Sequence, residues 1–137
     1  MNPTPYLFFN GNCAEALATY TDILGGEVEM TMLAGDGPPD FSVSEEQKDS
    51  IMHATLKVGE GHLMMSDSFM EPSDPMNGSS VMLSFDTKEK AAEVFAKLAT
   101  GGEETMPFAP TFWSAGFGTL TDKFGIKWMV GTDQPPA

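Results

Sequence analysis

The chain has no arginine. Its seven basic residues are all lysines, set against twenty acidic ones for a formal net charge of -13. The planar fork that grips carboxylates and phosphates at two points is therefore missing throughout, and the acidic surplus repels phosphate backbones and anionic lipid surfaces. Nucleic acid and membrane are not expected partners, and a small organic guest that is neutral or cationic is favoured over an anionic one; the same acidity also serves solubility. Cys13 is the single cysteine, so an intramolecular disulfide and a cysteine-rich zinc site are both excluded. A lone thiol of this kind reads as a buried small apolar residue rather than a nucleophile. No apolar run approaches the ~20 residues needed to span a bilayer, and the N-terminus lacks the basic region and long apolar stretch of a signal peptide, so a cytoplasmic location is expected.

A length of 137 residues and a 41 % apolar composition suit one folded domain with a real core. Two stretches share a local grammar of strand, helix and Gly-Gly-Glu. The first runs from Tyr6 to Asn10 into a helix with apolar residues at Ala16, Leu17, Tyr20, Ile23 and Leu24, and stops at Gly25-Gly26. The second runs from Val81 to Phe85, then Asp86 with Glu89 as a capping box, then Ala91, Ala92, Val94, Phe95 and Leu98, and stops at Gly101-Gly102. A slide of 75 residues lays Leu17 on Ala92, Tyr20 on Phe95 and Ile23 on Leu98. A duplicated unit is expected, with both glycine pairs as helix terminators.

Strand-like segments follow each helix: Glu27 to Leu33, Ile51 to Val58 and His62 to Asp67 in the first half, Glu104 to Phe108, Trp113 to Thr121 and Ile126 to Val130 in the second. Residues 34–50 read as a loop with a candidate helical turn at 43–48, and the proline-bearing stretch from Met70 to Gly78 reads as a linker. The expected class is α+β: two βαβββ modules, about 4–68 and 79–131 with a linker at 69–78, forming one cupped mixed sheet with helices on the outer face of a single domain spanning 1–137.

Three stretches then become specific: Tyr6-Leu-Phe-Phe-Asn-Gly-Asn12, Ile51-Met-His-Ala54 with Leu63-Met-Met-Ser-Asp67, and Phe112-Trp113 through Phe117 to Met129. Together with the doubled unit they resemble the PhnB-like branch of the vicinal-oxygen-chelate superfamily, which includes glyoxalase I, extradiol dioxygenases and bleomycin-resistance proteins. The resemblance implies a homodimer with two symmetry-related cups. Proteins of this type are sometimes called ubiquinone-pathway methyltransferases, yet no Gly-rich strand-to-helix turn followed by an acidic ribose ligand is present here.

In metal-dependent relatives the first and last strands of each half bring His or Glu side chains to one divalent ion. Carried over onto this chain, those positions are Pro5, Met65 or Ser66, Ser80 and Met129. A shift of one residue brings in Tyr6, Asp67, Ser79 or Val81, and Trp128 or Val130. Three or four imidazole or carboxylate donors are needed for nickel, zinc or iron, so neither a metal nor another cofactor is expected.

Given that fold, strand alternation assigns one face to the helices and the other to the cup. Val81, Leu83 and Phe85 go under a helix, leaving Ser80, Met82 and Ser84 inward; Leu7, Phe9 and Met129 are placed inward too, with Lys127 at the rim. Eleven methionines suit either an adaptable pocket or irregular core space. Trp113 is a candidate ligand contact at the mouth, whereas the parity of Trp128 points it at a helix. His62 opens a strand at a Gly-rich turn and should be exposed. His53 is either a hydrogen-bonded core histidine or a pocket acid-base group, and Asp67 is the other candidate for that role. Three functions follow, in descending order: a metal-free small-molecule binder or sequestering protein, a lyase or isomerase working through His53 or Asp67, and a metal-dependent glyoxalase or dioxygenase with a ligand set other than the family's.

Overall fold

The structure is a computed structural model that describes residues 1–38 and 43–136. The chain divides into two compact units, Met1–Asp74 and Pro75–Ala137. In the first, β1 (Tyr6–Phe9) and α1 (Cys13–Leu24) precede β2 (Glu27–Leu33), β3 (Ile51–Val58) and β4 (Gly61–Asp67). In the second, β5 (Val81–Phe85) and α2 (Lys88–Ala99) precede β6 (Glu103–Ala109), β7 (Phe117–Thr121) and β8 (Lys127–Thr132). The sheets have the same topology, β1-β4-β3-β2 and β5-β8-β7-β6. In each, the first strand pairs in parallel with the last and the other pairings are antiparallel. The α+β architecture of two βαβββ modules is thus present, each with a four-stranded mixed sheet and one helix.

Each helix covers one face of its own sheet. Cys13, Ala16, Leu17 and Tyr20 of α1 are buried together with Leu7, Phe9, Ala54, Leu56, Leu63 and Met65, and the Phe9 and Tyr20 rings lie 6.4 Å apart. On α2, Ala91, Val94, Phe95 and Leu98 bury against Val81, Leu120, Trp128 and Val130. Both helices begin 75 residues apart and have 12 residues. The repeated glycine pair has two jobs rather than one. Gly25 and Gly101 take positive φ, 65° and 79°, and so end the helices. Gly26 and Gly102 let the chain pass close to the sheet: a Cβ on Gly26 would sit 2.8 Å from the Lys57 carbonyl oxygen, and one on Gly102 would collide with that of Thr121.

Three local expectations shift. The cap of α2 is Thr87, whose hydroxyl accepts from Lys90 N at 3.2 Å, instead of Asp86; the Thr87 backbone is extended as a cap requires, which moves Glu89 to the second helical position. Strand β7 starts at Phe117 rather than Trp113. The Ser114 hydroxyl donates toward the carbonyls of Gly116 and Thr132 at 2.9 and 2.8 Å, and Thr111 N donates to Ser114 O at 2.9 Å, so 111–116 folds as a turn. Between β2 and β3 there is a 3-10 turn at Ala34–Asp36 and hydrogen-bonded turns through Ser44, Gln47 and Ser50. Residues 39–42 of the expected loop lie outside the described residues.

Candidate functional site

Among the described residues, the face of each sheet opposite its helix carries several exposed large apolar side chains. In the first unit it presents Tyr6 and Phe8 from β1, Met64 from β4, His53 and Thr55 from β3, and Met30 and Met32 from β2. His53 stands on this open face, half-buried, with both ring nitrogens engaged: Nδ1 with the Tyr6 hydroxyl and Nε2 with the Thr55 hydroxyl, each at 3.1 Å. The Tyr6 ring lies 5.0 Å from Phe8 and 5.6 Å from the imidazole. His62 is exposed at the far end of β4 and pairs with Glu29 at 2.9 Å, not with Asp67 or Glu60.

Two sequence assignments are corrected here. Leu7 and Phe9 are 4 % and 2 % exposed and pack on the helix side, as the Phe9–Tyr20 contact requires; they do not reach the open face. Asp67 is not available as an acid-base group. Its carboxylate is buried and accepts from three backbone N–H groups, Gly11 and Cys13 on Oδ1 at 2.9 and 3.0 Å and Ile51 on Oδ2 at 2.9 Å. Asn12, the residue at the cap of α1, makes no side-chain capping bond, and Asp67 replaces it from across the sheet. Cys13 beside it is fully buried, and its thiol is pushed up to about 12, first by burial and then by the Asp67 charge.

In the second unit the open face carries Met82 and Ser84 of β5, Met129 of β8, Thr119 of β7 and Thr105 of β6. Met82 is 49 % exposed while Val81 beneath α2 is 8 % exposed, so the parity read for β5 is the observed one. Met82 and Met129 are direct register partners, next to a Thr105–Thr119 hydroxyl pair at 2.6 Å. Ser84 donates to Asp133 at 2.6 Å, and Ser80 is exposed just before β5. Trp113, 52 % exposed, stacks edge-on with Phe117 at 5.4 Å and with Phe112 at 4.8 Å. Gly131 is buried, and a Cβ on it would lie 3.0 Å from Phe117 Cδ2 and 3.5 Å from Met82 Cε, so those two side chains close over this glycine. Trp128 faces the helix, buried, and donates from Nε1 to Asp122 Oδ2 at 2.8 Å.

Two hollows lie elsewhere. One of about 370 Å³ adjoins Asn10, Ser50, Asp67, Phe69 and Pro72, and another of about 450 Å³ runs between α2 and β6 along Ala92, Ala96, Ala99 and Phe108. Asp67 is the one residue of the sequence-read site that borders either. Among the described residues no group of three or more His, Cys, Asp and Glu side chains is arranged to hold a metal ion. The donor chemistry points the same way. Open-face side chains of the first and last strands are phenol, phenyl, thioether, hydroxyl and ammonium, and the one imidazole on them, His62, is paired to Glu29. These residues do not fit a nickel, zinc or iron centre. Among the described residues no helix is long and apolar enough to cross a membrane.

Sequence reasoning missed Tyr6, Phe8, Thr55, Met30 and Met32. A signal was present: the Gly-Gly-Glu runs at 25–27 and 101–103 lie 76 residues apart, as do Phe9 and Phe85, whose carbonyls accept from Ser68 N and Asp133 N in the same place, although the helices repeat at 75. Under the strand offset Phe9 matches Phe85, and Tyr6 and Phe8 fall on the open face.

Two βαβββ modules, each with a helix on one sheet face and the other face open, define the paired-module class of glyoxalases and resistance proteins. The chain belongs to the Glyoxalase/Bleomycin resistance protein/Dioxygenase superfamily, whose model matches residues 4–130. It is 34 % identical over 135 residues to Protein YjdN of Escherichia coli strain K12, covering 93 % of this chain and 92 % of that one. Among solved structures it is similar to protein PA1353 from Pseudomonas aeruginosa, with 44 % identity, a TM-score of 0.90 and 98 % of both chains covered. The PhnB protein from Bacillus cereus, described as a 3-demethylubiquinone-9 3-methyltransferase, is 26 % identical with a TM-score of 0.77 over 96 % of this chain and 99 % of that one.

Proposed function

We propose that this PhnB- and YjdN-like protein binds or sequesters a small organic molecule, neutral or cationic, without a metal. The observation that carries the reading is the open face of the second sheet. Met82 and Met129 flank hydroxyls there, and Trp113 on Phe117 stands at its margin, half exposed. Exposed thioether and aromatic surface of this kind costs solubility unless something uses it. With a net charge of -13 and no arginine, an anionic guest meets little that would hold it. The methyl-transfer description of the Bacillus cereus relative finds no support in these residues, because the glycine pairs end helices and, among the described residues, no strand-to-helix turn is glycine-rich. Mass spectrometry of the gently purified protein should detect a stoichiometric small molecule, and Met82→Lys should release it; a guest that Met82→Lys leaves in place overturns the reading.

A second reading, acid-base catalysis of a lyase or isomerase type, is favoured by the place of His53 on an open face. His53→Gln separates the two: a binder keeps much of its affinity, whereas an acid-base enzyme loses ~10²-fold or more in rate. We further propose a homodimer. The edge strands β2 and β6 are protected by Glu27, Glu29, Glu103, Glu104, Pro107 and register breaks, while the edges β1 and β5 have no charged residue and need covering. Light scattering should give about twice the 14.7 kDa chain mass; a monomer at micromolar concentration overturns this.

A further inference from the structure

We propose that the Tyr6–His53–Thr55 chain on the first sheet recognises the hydrogen-bond donor of a flat aromatic ligand, with the Tyr6 hydroxyl, not the imidazole, as the group the ligand meets. The proposal rests on the small-molecule reading above and assigns it a second surface and a ligand class. Both nitrogens of His53 are already bonded, at 3.1 Å to Tyr6 and 3.1 Å to Thr55, so the imidazole cannot reach a guest without breaking one of those contacts. Tyr6 is 39 % exposed and still has unused capacity, because a phenol offers one donor and two acceptor lone pairs and a single bond is spent on His53.

The direction of the chain decides what Tyr6 can accept. A phenol is a stronger proton donor than a neutral imidazole N–H, so the favoured arrangement has Tyr6 donating to Nδ1 and Nε2–H donating to the Thr55 hydroxyl. The tyrosine proton is then committed inward, and only lone pairs face outward. A ligand that meets Tyr6 must bring an O–H or N–H donor; a carboxylate or phosphonate, which only accepts, finds no partner in the Tyr6 hydroxyl. The surroundings fit a flat ring. Tyr6 and Phe8 present two exposed rings 5.0 Å apart. In register beside them run Met64, Thr55 and Met30, and Met32 pairs directly with His53, giving a polarizable, uncharged floor. The charged groups of this face, Lys57 and the His62–Glu29 pair, lie at the hairpin end of the strands.

β-Naphthol and β-naphthyl methyl ether share a ring and differ in the donor, which makes them a discriminating pair. In fluorescence titrations near pH 8, Tyr6→Phe should weaken β-naphthol roughly 5- to 10-fold and the ether less than about 2-fold. Equal weakening of both, no weakening of β-naphthol, or failure of the wild-type protein to bind β-naphthol overturns the proposal. Nitrogen NMR of the intact protein gives a readout that packing alone would not move: His53 should carry its proton on Nε2 and lose that tautomer preference in Tyr6→Phe. An Nδ1–H tautomer in the wild type overturns the assigned direction and with it the ligand class. β-Naphthol binding abolished by Met82→Lys but indifferent to Tyr6→Phe overturns this inference while leaving the broader reading standing.

Discussion

The two units share one topology and one helix length, yet each places its buried carboxylate at a different end of its sheet. In the first, Asp67 ends β4 and ties the start of α1 and the start of β3. In the second, Asp122 sits in the β7–β8 hairpin. Its Oδ1 accepts from Phe124 and Ile126 N–H, both at 2.9 Å, and its Oδ2 from the Trp128 indole at 2.8 Å. The division of labour is the same: Oδ1 takes two N–H groups of one turn and Oδ2 takes a single donor. At the position matching Asp67 the second unit has Thr132, whose hydroxyl donates to Phe85 O, while Gln134 accepts from Lys88 N at the start of α2. The fold therefore needs its turns satisfied but leaves open which side chain does it.

The largest expected effects come from breaking those ties. Asp67→Ala and Asp122→Ala each strand three donors and should cost about 3 to 5 kcal/mol, a large share of a typical domain's stability. Thr132→Ala should cost only about 1 kcal/mol. Urea unfolding measures the totals. Hydrogen exchange sharpens the contrast, because Asp67→Ala should speed exchange at Gly11, Cys13 and Ile51, and Asp122→Ala at Phe124 and Ile126. Loss of protection spread evenly over both units would count against local tying.

Cys13 gives a smaller effect confined to the first unit. Its folded pKa of about 12 lies above the ordinary 9.0, so the folded state holds the proton more tightly than the unfolded one. Its contribution is fully present below pH 9.0 and is lost as pH rises toward about 12, amounting to about 1.4 kcal/mol lost near pH 10. The difference in stability between wild type and Cys13→Ala should narrow steadily over that window. A difference independent of pH would show that burial does not hold the proton.

On the open faces, effects on binding should exceed effects on folding. Met82→Lys places an unpaired positive charge where a neutral or cationic guest would sit, and should reduce affinity for the copurified molecule by more than ~10²-fold. Trp113→Ala should weaken it about 10-fold while lowering stability by less than about 1 kcal/mol, since the ring is 52 % exposed and leaves no deep cavity. Isothermal titration beside urea unfolding separates the two quantities for each variant.

How far these surfaces could be read from sequence differed between the units for a physical reason. In Val81-Met-Leu-Ser-Phe85 the polar Ser84 marks the open side, and the burial of β5 alternates accordingly. Tyr6-Leu-Phe-Phe9 is apolar at every position, so alternation carries no sign there and a shift of one residue exchanges its faces. The turn between strand and helix is one residue longer in the first unit, four residues from Phe9 to Cys13 against three from Phe85 to Lys88, and the helix offset applied to the strand puts Leu7 and Phe9 on the wrong side. Asp67 was misjudged for a related reason: a carboxylate at a strand end looks alike in sequence whether it faces a pocket or three backbone donors. The helices, the strand order within the repeat, and the places of Trp128 and Met82 were legible because periodicity and glycine placement act locally.

The smallest expected effect tests whether the open faces have distinct shapes. Gly131 occupies the register position beside Ser84 that Ser66 occupies beside Phe8. Gly131→Ser would therefore give the second unit the residue of the first. No positive φ holds this glycine, so backbone strain is not the obstacle. The added Cβ would approach Phe117 Cδ2 to 3.0 Å, which the ring relieves by giving way a few tenths of an ångström. Replacing a strand glycine gains roughly 0.5 to 1 kcal/mol in conformational entropy, and that gain offsets the crowding, so stability should change by less than about 1 kcal/mol. The added side chain displaces Met82 and Phe117, which close over this glycine. A guest that rests on Met82 should lose about 3- to 5-fold in affinity, while β-naphthol on the first sheet should bind unchanged. An equal loss of β-naphthol would show that the substitution acts through the fold at large rather than through the open face of the second sheet.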